Sequence, residues 1–71
     1  MNEEQLLDLY GFTRKFSGET SGIWIKKDVQ VALCYTRKHV AIFRLNGILT
    51  ITSGMFYSSP SELLSIVLQY V

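Results

Sequence analysis

The sequence predicts a single α+β domain spanning residues 1–71. Its order is α-β-β-β(-β)-α, an antiparallel meander of three or four strands with two helices packed on one face. Three observations carry this prediction. Apolar segments with helix-capping residues stand near both ends of the chain. Between them lie apolar stretches of five to eight residues separated by turn residues, the pattern of short strands. Seventy-one residues are too few for a second core.

The first helix begins at Asn2, a capping residue with Gln5 three positions on, the spacing of a capping box. Glu3 and Glu4 fall in the first turn, where the helix dipole favours negative charge. Leu6, Leu7, Leu9 and Tyr10 supply its apolar side, Gly11 suits a left-handed C′ position, and Phe12 can fold back. Residues 13–21 read as a polar connection, with Phe16 as a plug beneath it. The strands then run 22–26, 29–36, 39–45 and 48–52. Lys27–Asp28, Arg37–Lys38 and Asn46–Gly47 separate them. Asn-Gly is the strongest hairpin signal among these, since both residues tolerate positive φ. The second helix starts at Ser59 as N-cap, with Pro60 at N1 and Glu62 at N3 to close a second capping box. Leu63, Leu64, Ile66, Val67, Leu68, Tyr70 and Val71 cover most of its circumference.

Hairpin register decides which side chains share a face. Two-residue loops at Arg37–Lys38 and Asn46–Gly47 would pair Thr36 with His39 and Leu45 with Ile48. They place Val29, Val31, Leu33, Tyr35, Val40, Ile42, Leu49 and Ile51 toward the helices. The other face then carries Gln30, Ala32, Cys34, Thr36, His39, Ala41, Phe43, Leu45, Ile48, Thr50 and Thr52. The first strand depends on Lys27–Asp28. A two-residue loop would put Trp24 in the core, and a three-residue loop would put Ile23 and Ile25 there. Lys-Asp is a poor type I′ pair, so the longer loop is favoured and Trp24 is expected on the second face.

That face is the candidate contact surface, with Trp24, Phe43, Leu45 and Ile48 as its anchors. The chain is 48% hydrophobic and 18% charged with mean hydropathy +0.19, against about 25% charged for an average domain. Such a composition excludes a disordered tail or a polybasic arm. A domain this small buries only about 60% of the surface of its unfolded chain, which leaves apolar surface to spare. Large apolar patches on soluble domains mark interaction sites, and aromatic residues dominate interface energies.

Charge supports an alternative. Seven Lys and Arg against six Asp and Glu give a net +1, but the distribution is uneven. Residues 1–10 hold Glu3, Glu4 and Asp8, whereas residues 11–44 hold all seven bases against Glu19 and Asp28. Lys26, Lys27, Arg37, Lys38 and Arg44 at strand ends, with aromatics nearby, could meet nucleic acid. A net charge of +1 is far below the usual footprint of such proteins.

Catalytic chemistry has little to work with. Cys34 and His39 share a face as diagonal neighbours and could form a nucleophile–base pair, but no third residue orients them. One Cys and one His cannot complete a metal site. No enzymatic activity, cofactor or metal is therefore expected. A single cysteine excludes a disulfide framework, no apolar run reaches the ~20 residues of a membrane span, and residues 1–10 lack a signal peptide's basic start. A cytoplasmic location follows as an expectation. The element order is similar to that of double-stranded-RNA-binding domains and of small HicA-type toxin ribonucleases, and Leu6–Phe12 looks like the first-helix ending of the latter. The toxins' Gly-Ser-His context and the RNA-binding domains' lysine-bearing second helix have no counterpart, so the resemblance implies no functional residue. The expected role is a small protein-interaction or self-associating module.

Overall fold

The computed structural model describes residues 1–45, 49–51 and 54–71. Its elements are α1 (Glu3–Leu9), β1 (Thr13–Ser17), β2 (Ser21–Lys26), β3 (Val29–Cys34), β4 (His39–Leu45), β5 (Leu49–Ile51), β6 (Met55–Phe56) and α2 (Pro60–Leu68). Strands β1 to β5 form an antiparallel meander in chain order, and β6 pairs with the first residues of β4. The α+β order and the two helices on one face are as the sequence predicts.

Both helices start where their caps place them. Asn2 Oδ1 accepts from Gln5 N–H, and Gln5 Oε1 accepts from Asn2 N–H, each at 2.9 Å, which completes the capping box. The C-terminus of α1 ends on Gly11 at φ +87°. Phe12 N–H donates to Leu7 O and Gly11 N–H to Asp8 O, the paired bonds of a Schellman ending, and Phe12 is buried. In α2, Ser59 Oγ accepts from Glu62 N–H at 3.2 Å, but the Glu62 carboxylate reaches back one residue further than expected, to Ser58 N–H. Replacing Ser59 with alanine is expected to cost about 1 kcal/mol, read as a lower midpoint of thermal unfolding.

The core is one cluster: Leu7, Phe12, Trp24, Val29, Val31, Leu33, Val40, Ile42, Tyr57, Leu63 and Val67. Six of these come from alternate positions of β2, β3 and β4, and the helices contribute Leu7, Leu63 and Val67 against them. Leu9 and Tyr10, expected on the apolar side of α1, are exposed.

Four expectations need correction. The segment 13–21 contains strand β1 rather than being all connection. Phe16 lies in that strand beside Ile23 and is 52% exposed, so it is no plug. The β3–β4 connection spans 35–38, so Cys34 rather than Thr36 pairs with His39. That shift is two residues, so the faces of β3 and β4 remain as predicted. The β4–β5 register differs by one: Leu45 pairs with Leu49, and Phe43 rather than Ile42 pairs with Ile51. Ile48 and the side chains of Leu45, Leu49 and Ile51 lie outside the described part.

The fourth correction concerns Trp24. Lys26 pairs with Val29, so the β2–β3 loop has only two residues. Lys27 makes this possible by adopting φ +56°. A left-handed residue costs roughly 1–2 kcal/mol, which the burial of an indole outweighs. Trp24 therefore faces the core with no exposed surface, and Ile23 and Ile25 take the other face. Arg14, the cross-strand partner of Trp24, lies over its ring at 4.8 Å from the centroid. Asp8 and Glu4 of α1 hold that guanidinium at 3.2 and 3.4 Å.

Candidate functional site

The sheet face opposite the helices is built by register alone. One row runs Ile23, Ala32, Ala41 across β2, β3 and β4, and the next runs Ile25, Gln30, Phe43. A third row carries Cys34, His39 and Phe56. From Ile23 to Phe43 in these rows the side chains are half-buried, while Phe56 is 71% exposed. The three rows hold no Asp, Glu, Lys or Arg. Both helices lie on the far side, with the core.

Four anchors were expected here. Phe43 stands on this face as predicted, half-buried beside Gln30. Trp24 does not belong to it, because the two-residue loop turns it inward. Leu45 is described only as a backbone partner of Leu49, and Ile48 lies outside the described residues. The sequence reading missed Ile23, Ile25 and Phe56. The first two were legible in the alternative loop length. The Phe56 side chain belongs to a two-residue strand, too short for any alternation to reveal.

Cys34 and His39 are direct cross-strand partners rather than diagonal ones. The thiol lies 3.4 Å from Thr36 Oγ1. That hydroxyl, then the Arg37 backbone, draws the Cys34 pKa below the ordinary thiol value. Phe56 meets the His39 ring edge-on, with centroids 5.0 Å apart. Among the described residues no group of three or more His, Cys, Asp or Glu is placed to hold a metal ion, and no helix is long and apolar enough to cross a membrane.

The five strand-end bases do not gather into one stripe. Lys26, Lys27 and Arg44 sit at the β2–β3 turn end of the sheet, while Arg37 and Lys38 sit at the opposite end, in the β3–β4 connection. Three of them are engaged within the chain. Lys26 Nζ donates to Tyr10 O at 2.7 Å and lies over the Phe12 ring. The Arg44 guanidinium donates to Tyr70 O. Lys38 Nζ lies 3.3 Å from Glu3 Oε2.

Glu3 anchors a second polar feature, beside a cavity of about 390 Å³ lined by Asn2, Glu3, Glu4, Gly18, Glu19, Tyr35 and Lys38. Tyr57 donates its hydroxyl to Glu3 Oε2 at 2.9 Å inside the core. Burial pulls the Glu3 carboxyl upward, but its backbone hydrogen bond, Tyr57 and Lys38 together hold it below the usual glutamate value. Glu4 is taken up by Ser17 and Arg14. Beside Gly22 the Tyr35 hydroxyl and the Trp24 indole N–H are buried without hydrogen-bond partners. Both crowd the space that a side chain at Gly22 would fill, so Gly22 is required by close approach.

Compared with protein families, curated proteins and solved structures, the chain finds no match.

Proposed function

We propose that this protein is a non-enzymatic protein-interaction module whose contact surface is the open sheet face of Ile23, Ile25, Ala32, Ala41 and Phe43. One observation carries the reading: both helices pack on the other side of the sheet, and among the described residues Ile23, Ile25, Ala32, Ala41 and Phe43 form a half-buried face with no Asp, Glu, Lys or Arg. Sheets of this size in stable domains bury one face and expose a polar one. Here the outward positions of β2 are Ser21, Ile23 and Ile25, two isoleucines where a solvated face would carry polar residues. Phe43 and the marginal Phe56 supply the aromatic area that anchors interfaces.

The test compares Ala41→Glu with wild type in extracts of the expressing cells. The expected result is a nuclease-resistant complex that contains the wild-type chain and runs well above 8.1 kDa. Ala41→Glu is expected to run as a monomer while keeping its thermal midpoint. A wild-type chain that runs as a monomer, or a complex that Ala41→Glu leaves intact, overturns the proposal. A complex that nuclease dissolves, and that weakens steeply with salt, transfers the role to nucleic acid.

A further inference from the structure

We propose that the end of the sheet bearing the Lys27–Asp28 turn docks on an anionic phospholipid bilayer. Three bases there meet the headgroups, and exposed apolar side chains from the ends of both helices enter the interface. This surface is separate from the open sheet face and does not depend on it.

Strand register gathers the surface. Lys26 and Arg44 both pair with Val29, one from each side, so they stand two strand spacings apart, about 10 Å. Each holds the end of one helix. Lys26 Nζ donates to Tyr10 O at 2.7 Å, and the Arg44 guanidinium donates to Tyr70 O. The C-terminal ends of α1 and α2 are thereby brought to the same end of the sheet. With them come Leu9, Tyr10, Leu68 and Val71, which are 41 to 64% exposed.

The charge of this end is uncompensated. Among the described residues no carboxylate lies within ion-pair distance of Lys26, Lys27 or Arg44. Lys26 and Arg44 bond neutral carbonyls, which leave both charges in place. Lys27 is exposed in the turn itself, held at φ +56°. Three bases against Asp28 leave the side chains of this end at +2. At the opposite end of the sheet Glu3, Glu4 and Glu19 surround the cavity. An anionic surface therefore attracts the turn end and disfavours the other, which orients the molecule.

The apolar side chains decide which anionic surface fits. An acidic, solvated polymer would meet the bases and leave Leu9, Leu68 and Val71 in water. A bilayer interface offers anionic headgroups and apolar depth together, and it admits side chains one by one without a matching shape. Tyr10, with an apolar ring and a polar tip, suits the headgroup level. Each base beside such a surface is worth about fivefold in partitioning.

Co-sedimentation of the purified full chain with lipid vesicles tests the proposal. The expected result is binding to vesicles of phosphatidylserine and phosphatidylcholine in equal parts, release by salt, and much weaker binding to phosphatidylcholine alone. Lys27→Asn removes one charge with a residue that accepts positive φ, and is expected to weaken binding about fivefold. Leu9→Ser is expected to weaken it at least about fivefold, through lost apolar insertion. Arg37→Asn makes the same charge change at the opposite end of the sheet and is expected to bind as wild type does. All three positions are exposed, so each variant is expected to keep its thermal midpoint. A chain that ignores anionic vesicles overturns the proposal, as does an Arg37→Asn loss equal to that of Lys27→Asn. Leu9→Ser binding as wild type does overturns it too, and leaves an acidic macromolecule as the partner of the bases. None of these outcomes bears on the Ala41→Glu comparison in cell extracts, so either reading can fail alone.

Discussion

Replacing Trp24 with alanine is expected to leave this protein close to unfolded at room temperature. The indole is fully buried at the centre of the core, packed among the strand valines and sealed by Arg14. Large-to-small substitutions of this kind cost about 3–5 kcal/mol, because a cavity remains where the ring stood. At roughly 0.05–0.15 kcal/mol per residue, the whole domain holds only about 4–10 kcal/mol. Each kilocalorie is worth about 4–8 °C in a domain of this length, so the thermal midpoint is expected to fall by at least about 12 °C. Circular dichroism melting measures it. Phe43→Ala, on the open face, is expected to cost far less in the monomer. If the two substitutions had equal effects, Trp24 would not be the centre of the core. Trp24→Phe is expected to be milder than alanine, since it keeps an aromatic ring and removes an N–H that has no partner.

The second large effect lies at Glu3. Glu3 is 7% exposed, and its carboxylate accepts from the Tyr57 hydroxyl and the Lys38 ammonium. Glu3→Ala leaves Tyr57 buried without its acceptor, which is expected to cost about 1–3 kcal/mol at neutral pH. Glu3→Gln retains an acceptor and is expected to cost less. The acid response separates the charge from the hydrogen bond. The folded Glu3 pKa is lower than the unfolded one, so its contribution is full above the unfolded value, about 4.3. It is lost as pH falls through the folded value. Chemical denaturation between about pH 6 and 3 is expected to show a stability loss that Glu3→Gln flattens. An unchanged slope in Glu3→Gln would remove Glu3 as its source. On the alkaline side, burial and donation to Glu3 raise the Tyr57 pKa. That contribution is full below the ordinary tyrosine pKa and lost only as pH rises through the higher folded one.

Much of this architecture could be read from local chemistry. Asn2 with Gln5, Gly11 with Phe12, and Ser59 with Pro60 set the helix ends, because capping bonds span only three to six residues. The faces of β3 and β4 were legible even though the loop length was not. A two-residue register change keeps every side chain on its side. Trp24 was not legible for the opposite reason. One residue in the Lys27–Asp28 turn decides the face of all of β2, and Lys27 accepts a backbone conformation that propensity disfavours. Burial of Trp24, a gain made across strands, determined the outcome. Strand β1 was hidden because its five residues are all exposed and its bulge breaks alternation. The Glu3–Tyr57 bond joins residues 54 positions apart, a distance at which sequence pattern carries no information.

The proposed contact surface starts from a surplus of apolar residues in the sequence, but its membership depends on that same turn. With Trp24 turned inward, the anchors become Ile23, Ile25 and Phe43 around an alanine hollow. The face stays uncharged and continuous, and no aromatic residue has to stand alone among small ones.

Site-specific cross-linking tests the central claim most directly. A diazirine amino acid is placed at position 41 of the full chain in the expressing cells, with the same label at exposed position 62 on α2 as the control. The account predicts a discrete protein adduct from position 41 and none from position 62. An absence of adducts from position 41, or equal adducts from both positions, would contradict it.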